Sequence, residues 1–195
     1  MASAPVHEVL IIGSGFAGVA AAIRLREAGV EDVVLLERAD TLGGTWRDNH
    51  YPSCACDVPS RLYSLSFAPN PDWSHSYSGQ AEIRAYLERV AREGGVVPRI
   101  RFGHAVTAAR WDATAAEWRV DTTRGPFRAR VLVMATGALS DPVIPDLPGR
   151  ETFAGAAFHS AAWDHTVSLR GRRVAVIGTG ASAIQFVPAI QPEVA

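Results

Sequence analysis

Four short, unbroken apolar runs stand out along the chain. Val9-Leu10-Ile11-Ile12 leads into Gly13, Val33-Val34-Leu35-Leu36 into Glu37, Val131-Leu132-Val133-Met134 into Ala135-Thr136-Gly137, and Val174-Ala175-Val176-Ile177 into Gly178. Continuous runs predict strands buried on both faces, as in a parallel sheet covered by helices. Between the first two, Phe16 to Ala28 is alanine-rich with helical spacing, and Gly29 is a natural stop. Strand, helix and strand so close together predict a right-handed βαβ unit. After the fourth run a helix is predicted to about Ile190, but no second strand follows before Ala195. A lone strand and helix cannot bury their own apolar faces, so the chain is expected to be the front part of a longer protein.

The intervening stretches differ in texture. Residues 38–78 lack periodicity and carry turn formers at Gly43-Gly44, Pro52, Pro59, Pro69 and Pro71. Their aromatics (Trp46, Tyr51, Tyr63, Phe67, Trp73 and Tyr77) argue for an ordered, hence functional, segment. Residues 80–93 predict an amphipathic helix with Ile83, Tyr86, Leu87 and Val90 on one face, ended by Gly94-Gly95. From Ile100 to Thr123, short alternating segments such as Glu117–Asp121 predict a small antiparallel sheet. A linker with Pro142, Pro145 and Pro148 follows, then Phe153 to Asp164.

Composition narrows the class. The 195 residues are 48% hydrophobic, with 19 basic against 20 acidic side chains and a net charge of −1. That excludes disorder, collagen and coiled coil, and argues against nucleic acid as a partner. All 19 basic residues are Arg, which we read as bias of the source genome. No apolar run reaches the roughly 18 residues of a membrane span. Residues 9–23 lack a preceding Arg or Lys and are broken by Gly13, Gly15 and Gly18, so they do not read as a signal peptide. A cytoplasmic location is expected. Cys54 and Cys56 are too close for an unstrained disulfide, and no further metal ligands accompany them; unreactive thiols are expected.

Gly13-Ser14-Gly15-Phe16-Ala17-Gly18 sits between a predicted strand and helix, where a dinucleotide-binding turn belongs. Gly13 permits the tight turn, Gly15 lets a diphosphate approach the backbone, and Gly18 lets the helix pack on the strand. Unpaired N–H groups at the helix start suit the phosphates. Glu37, about 20 residues further on, is placed to receive ribose hydroxyls. The plainer alternative is a glycine-rich turn and a surface glutamate. Gly178-Thr179-Gly180-Ala181-Ser182-Ala183 is the variant with Ala at the third position, lacking the strand that would follow. Two such motifs suggest one tightly held redox cofactor and one exchanging one. Gly43-Gly44-Thr45-Trp46 either carries the chain close past a cofactor, with Trp46 offering a flat face, or is an ordinary turn with a buried Trp. Ala135-Thr136-Gly137 is likewise suited to close approach.

Taken in order, Gly13–Gly18, Glu37, Gly43–Trp46, Ala135–Gly137 and Gly178–Ala183 resemble the two-dinucleotide-domain flavoprotein monooxygenases. Phe153, Gly155, His159, Trp163 and Asp164 match every fixed position of the Baeyer–Villiger monooxygenase fingerprint. The N- and S-oxygenating flavin monooxygenases carry a similar signature with Tyr at the position of Trp163. The resemblance covers the whole chain and implies an α/β fold. It implies a Rossmann-like FAD-binding domain over 1–140 with a small antiparallel β insertion. An interdomain linker over 141–170 would then lead to the start of a Rossmann-like NADP-binding domain at 171–195. FAD and NADPH are the implied cofactors.

Tyr51-Pro52-Ser53-Cys54-Ala55-Cys56-Asp57 is similar to the family's Tyr-Pro-Gly-x-x-Cys-Asp, with Ser53 in place of Gly. By resemblance Asp57 meets the nicotinamide cofactor and pairs with an active-site arginine that lies beyond Ala195. His159 helps couple NADPH binding to domain motion, as a loop-organising residue rather than a base. The implied cofactor-binding set also takes in Arg38, Gly44, Thr45, Trp46, Ala55, Cys56, Tyr63 and Val106.

The implied reaction reduces FAD with NADPH, captures O2 as a flavin C4a-peroxide and inserts one oxygen atom beside a ketone carbonyl to give an ester or lactone. These 195 residues alone are expected to turn over little or nothing. An N- or S-oxygenating enzyme and a catalytically incomplete nucleotide-binding module are the alternatives.

Overall fold

The computed structural model describes residues 5–195. Its strands are β1 (Val6–Ile12), β2 (Val33–Leu36), β3 (Ile100–Arg101), β4 (Val106–Asp112), β5 (Glu117–Thr122) and β6 (Gly125–Met134). Its helices are α1 (Phe16–Glu27), α2 (Thr45–Asp48), α3 (Gln80–Glu93) and α4 (Ala181–Ile190). The chain divides into two compact units, one formed by residues 5–47 and 84–138, the other by 48–83 and 139–195.

The first unit is built on one six-stranded sheet of order β3-β2-β1-β6-β5-β4. β1 pairs parallel with β2 and β6, and β2 pairs parallel with β3. β4, β5 and β6 form an antiparallel meander. The α/β class expected from the sequence holds, with two corrections. The antiparallel insertion is continuous with the parallel sheet, because the ten-residue β6 pairs with β1 through its C-terminal half and with β5 through its N-terminal half. Ile100–Arg101 belongs to the parallel part, where two residues were too few to reveal their partner.

Burial follows the apolar runs where helices cover them. β2 and the C-terminal half of β1 are buried throughout. On α1, Val19, Ala22 and Ile23 are buried, and on α3 so are Ile83, Tyr86, Leu87 and Val90, the i, i+3, i+4, i+7 stripe of an amphipathic helix. Phe16 stacks on Tyr86 at 6.0 Å between ring centres, and Gly94 abuts Ile23, so α3 lies along α1. A second cluster joins Leu10, Val34, Leu36, Val120 and Ala129. Val131–Met134 departs from the expected burial: Val131 and Met134 are exposed, since no described helix covers that end of β6.

The second unit is loop-rich. The strand predicted at Val174–Ile177 does not form, and its residues are exposed. A strand exists through hydrogen bonds to a neighbour, and no described segment pairs with 174–177. The flanking chain is instead tied to the segment after α4 by Gly171 N–H to Glu193 O (2.7 Å) and Ala195 N–H to Arg172 O (2.9 Å).

Candidate functional site

Strand order reverses at β1, whose neighbours β2 and β6 leave on opposite sides, and ligands of open α/β sheets lie at the carboxyl ends of strands at such a point. The turn after β1 and the turn after β6 meet there. Gly13 has φ +103°, and a Cβ on it would stand 2.5 Å from the Ala135 carbonyl oxygen. Ala135 N–H continues the strand pairing to Ile12 O at 2.9 Å. A Cβ on Gly18 would reach 2.0 Å from Gly13 O, so α1 can fold back on the turn only through glycine. Gly44 passes so close that a Cβ on it would lie 3.0 Å from Gly15 Cα.

Gly15 differs from these. A Cβ there would meet nothing nearer than Gly44 Cα at an ordinary 3.6 Å, so protein packing does not require it to be bare. It is the N-cap of α1, with no capping side chain and no acidic residue in the first turn. First-turn N–H groups, a positive helix end and a bare backbone fit a dinucleotide diphosphate.

Glu37 shows a feature the sequence pattern did not reveal. It is buried, and its Oε2 accepts from Ser14 N–H (3.0 Å) and Ser14 Oγ (2.6 Å). Its Oε1 accepts from Ala39 N–H (3.0 Å) and Arg47 Nη1 (3.0 Å). Burial pushes the carboxyl up, but the Ser14 and Ala39 hydrogen bonds and the Arg47 charge outweigh it and hold the group below its ordinary value. A carboxylate has about four lone-pair directions, and these four donors take them. Ser14, fully buried, serves Glu37 through both its hydroxyl and its N–H. Around this turn Trp46 is buried and Val106 half-buried, while Ala17, Arg38, Thr45, Thr136 and Gly137 are exposed.

The second unit gathers the remaining candidates. Ser53 has φ +59°, the left-handed region that favours glycine, so the residue standing where the resembling family has Gly still makes that turn. Residues 54–56 run extended beside 78–80, bridged at Ala55 and Gly79, and deliver Asp57 at an exposed position. Cys54 and Cys56 are free and buried, and burial pushes both thiols up, so they stay protonated near neutral pH. Tyr63 is half-buried after a 3-10 turn at Ser60–Leu62. His159 caps the 3-10 turn Ser160–Ala162, its Nδ1 accepting from Ala161 N–H at 3.1 Å. Trp163 packs edge-on against Phe158 (5.2 Å) and Phe186 of α4 (5.1 Å), and Phe186 against Tyr51 (6.1 Å).

Gly178–Ala183 opens α4 with Gly180 as N-cap and no capping side chain. A Cβ on Gly178 or Gly180 would meet nothing within 4 Å, and Gly178–Ala181 are exposed. Gln185 binds both Tyr51 and Ala55. Arg47 and Gln185 are the site residues the sequence reading missed. Gln185 had a signal, as the one long polar side chain in Ala-Ser-Ala-Ile-Gln-Phe-Val-Pro-Ala-Ile. Arg47 had none.

Residues 10–189 match the pyridine nucleotide-disulphide oxidoreductase family. The chain belongs to that family. It is 59% identical over 192 residues to a Baeyer-Villiger monooxygenase of Streptomyces coelicolor, covering 97% of this chain and 37% of that protein. Among solved structures it is similar to an oxidized steroid monooxygenase bound to NADP, at 41% identity and a TM-score of 0.87, covering 97% of this chain and 37% of the other. It also matches OTEMO in complex with FAD and NADP at 33% identity and a TM-score of 0.89, covering 98% and 38%. The resemblance to Baeyer–Villiger monooxygenases drawn from the fingerprint thus holds, and the chain spans about 37% of the length of the relatives it matches. The family's name refers to a disulphide, whereas both cysteines of this chain are free. No described helix is long and apolar enough to cross a membrane.

Proposed function

We propose that this chain is the nucleotide-binding part of an FAD- and NADPH-dependent monooxygenase that inserts one oxygen atom of O2 beside a ketone carbonyl, giving an ester or lactone. The observation that carries the reading is the bare, uncapped start of α1 at Gly15, framed by Gly13, Ala135 and Gly44. It has the shape and the donors a flavin dinucleotide's diphosphate needs.

The first domain, 1–140, holds FAD: the N–H groups of Gly15–Gly18 receive the diphosphate, and Glu37, kept ionised by Ser14 and Arg47, faces the ribose. When bound and reduced by NADPH, the flavin supplies the oxygen-activating chemistry. The linker, 141–170, is ordered by the His159 cap and by Trp163 on Phe186. The start of the second domain, 171–195, offers the N-terminus of α4 to the NADPH phosphates, with Gly178–Ala183 as the turn. Asp57 meets the nicotinamide cofactor from its exposed position. Within the first unit, Val106 adds to the flavin surroundings. Free, protonated thiols suit a reducing cytoplasm, and the partners are a small ketone and O2, with no role for nucleic acid.

The full-length protein is expected to purify yellow, to consume NADPH faster with a ketone present, and to release an ester or lactone. N-oxide formation from a tertiary amine with no product from ketones would instead make it an N-oxygenating enzyme. Glu37→Ala should lower FAD retention, while His159→Ala should damage oxygenation far more than FAD binding. Equal loss of both in His159→Ala would contradict the linker role.

A further inference from the structure

In an extended segment, successive residues turn their N–H and C=O groups to opposite edges. Along 54–56 one edge is taken by backbone: Gln80 N–H donates to Cys54 O at 2.8 Å, and Cys56 N–H donates to Ser78 O at 2.9 Å. The other edge belongs to Ala55. Its N–H donates to Gln185 Oε1 at 3.2 Å, and its carbonyl accepts from Gln185 Nε2 at 2.9 Å. One side-chain amide stands where a neighbouring strand would. The Tyr51 hydroxyl donates to the same Oε1 at 2.9 Å, so the amide oxygen faces two donors and its nitrogen faces an acceptor. Burial, with smaller contributions from Cys54 and Asp57, pushes the Tyr51 phenol up to about 12, which keeps it a neutral donor. Gln185 lies one turn into α4, beside Phe186, whose ring receives Tyr51 and Trp163.

We propose that Gln185 is a positioning residue for Asp57: its amide fastens Ala55, two residues before that carboxylate, to the helix that opens the second dinucleotide motif. The carboxylate and the N-terminus of α4 are thereby held in one frame. This rests on the reading of Asp57 as a residue that meets the nicotinamide cofactor. Side-chain length and chemistry both matter. A glutamate would set a second acceptor against the Ala55 carbonyl, and a methionine would keep the reach while losing every hydrogen bond.

The test uses the full-length protein and its Gln185→Met, Gln185→Glu and Asp57→Asn variants. Cys54 and Cys56 flank Ala55 and are buried, so their alkylation by iodoacetamide, read on the peptide that carries them, reports whether the segment is held. With FAD content as in the parent, Gln185→Met should be alkylated about tenfold faster, and Gln185→Glu at least as fast. Flavin reduction at saturating NADPH should slow about tenfold in Gln185→Met and no further once Asp57→Asn is added, as for a residue acting through Asp57. Parent-like alkylation of both Gln185 variants, or losses that add in the double variant, would overturn the proposal while leaving the reading of Asp57 intact. An Asp57→Asn variant that reduces its flavin at the parent rate would remove that reading and the proposal with it.

Discussion

Two glycine-rich turns of one design occur in this chain, and they stand on different foundations. Gly13–Gly18 follows the strand that lies between β2 and β6, hydrogen-bonded on both sides. Gly178–Ala183 follows a segment with no strand partner among the described residues. The glycines register the difference. A Cβ at Gly13 or Gly18 would strike backbone at 2.5 and 2.0 Å, whereas at Gly178 or Gly180 it would meet nothing within 4 Å. The first turn is demanded by the packing of the fold. The second keeps its helix and its open N-terminus through contacts of α4 with loops, chiefly Gln185 on Ala55 and Phe186 beneath Trp163.

That contrast can be broken by substitution. Gly18→Val should have the largest effect, destabilising the first unit by about 3 kcal/mol or more in urea unfolding, since backbone has to move. Glu37→Ala leaves a buried Ser14 hydroxyl without its acceptor and takes the carboxylate away from a largely enclosed Arg47, and should cost about 3 kcal/mol. The same carboxylate sets a pH dependence. Its folded value lies below the ordinary 4.5, so its contribution is complete above that pH and is lost as the pH falls through the lowered value. Urea midpoints measured from pH 6 down to pH 3 should therefore fall more steeply in the parent than in Glu37→Ala.

Smaller effects sharpen the picture within the second unit. Ser53→Gly should stabilise by about 1 kcal/mol, the relief of a left-handed serine less the added freedom of the unfolded chain. Gly180→Ala should change stability by only about 0.5 kcal/mol, read by thermal melting, because its Cβ has open space. A loss as large as that of Gly18→Val would mean the second turn is as tightly built as the first.

Much of this was legible in the chain. The runs at Val9–Ile12 and Val33–Leu36 became buried parallel strands, and Ile83, Tyr86, Leu87 and Val90 became the buried face of α3. The run at Val174–Ile177 looked the same and formed nothing. An apolar tetrapeptide states a preference for burial, while a strand also needs a partner with free N–H and C=O groups, which its own residues cannot encode. At the site, the turn residues were readable because glycine spacing reports local backbone geometry. The Ser14 and Arg47 donors on Glu37 and the amide on Ala55 were not, for they join residues 10 to 130 positions apart.

Local order was thus decided by the sequence alone: where α1 and α3 start and stop, the glycine turn after β1, and which fingerprint runs from Phe153 to Asp164. Those features depend on interactions within a few residues and leave a periodic or positional trace. Only the tertiary structure decided that Ser14 and Arg47 saturate Glu37, that β6 carries the meander into the parallel sheet, and that a glutamine takes the place of a strand beside Ala55. Each of these joins polar groups, buried or part-buried, that lie far apart in the chain, and such a donor pairs with whichever acceptor the packing brings within hydrogen-bond reach.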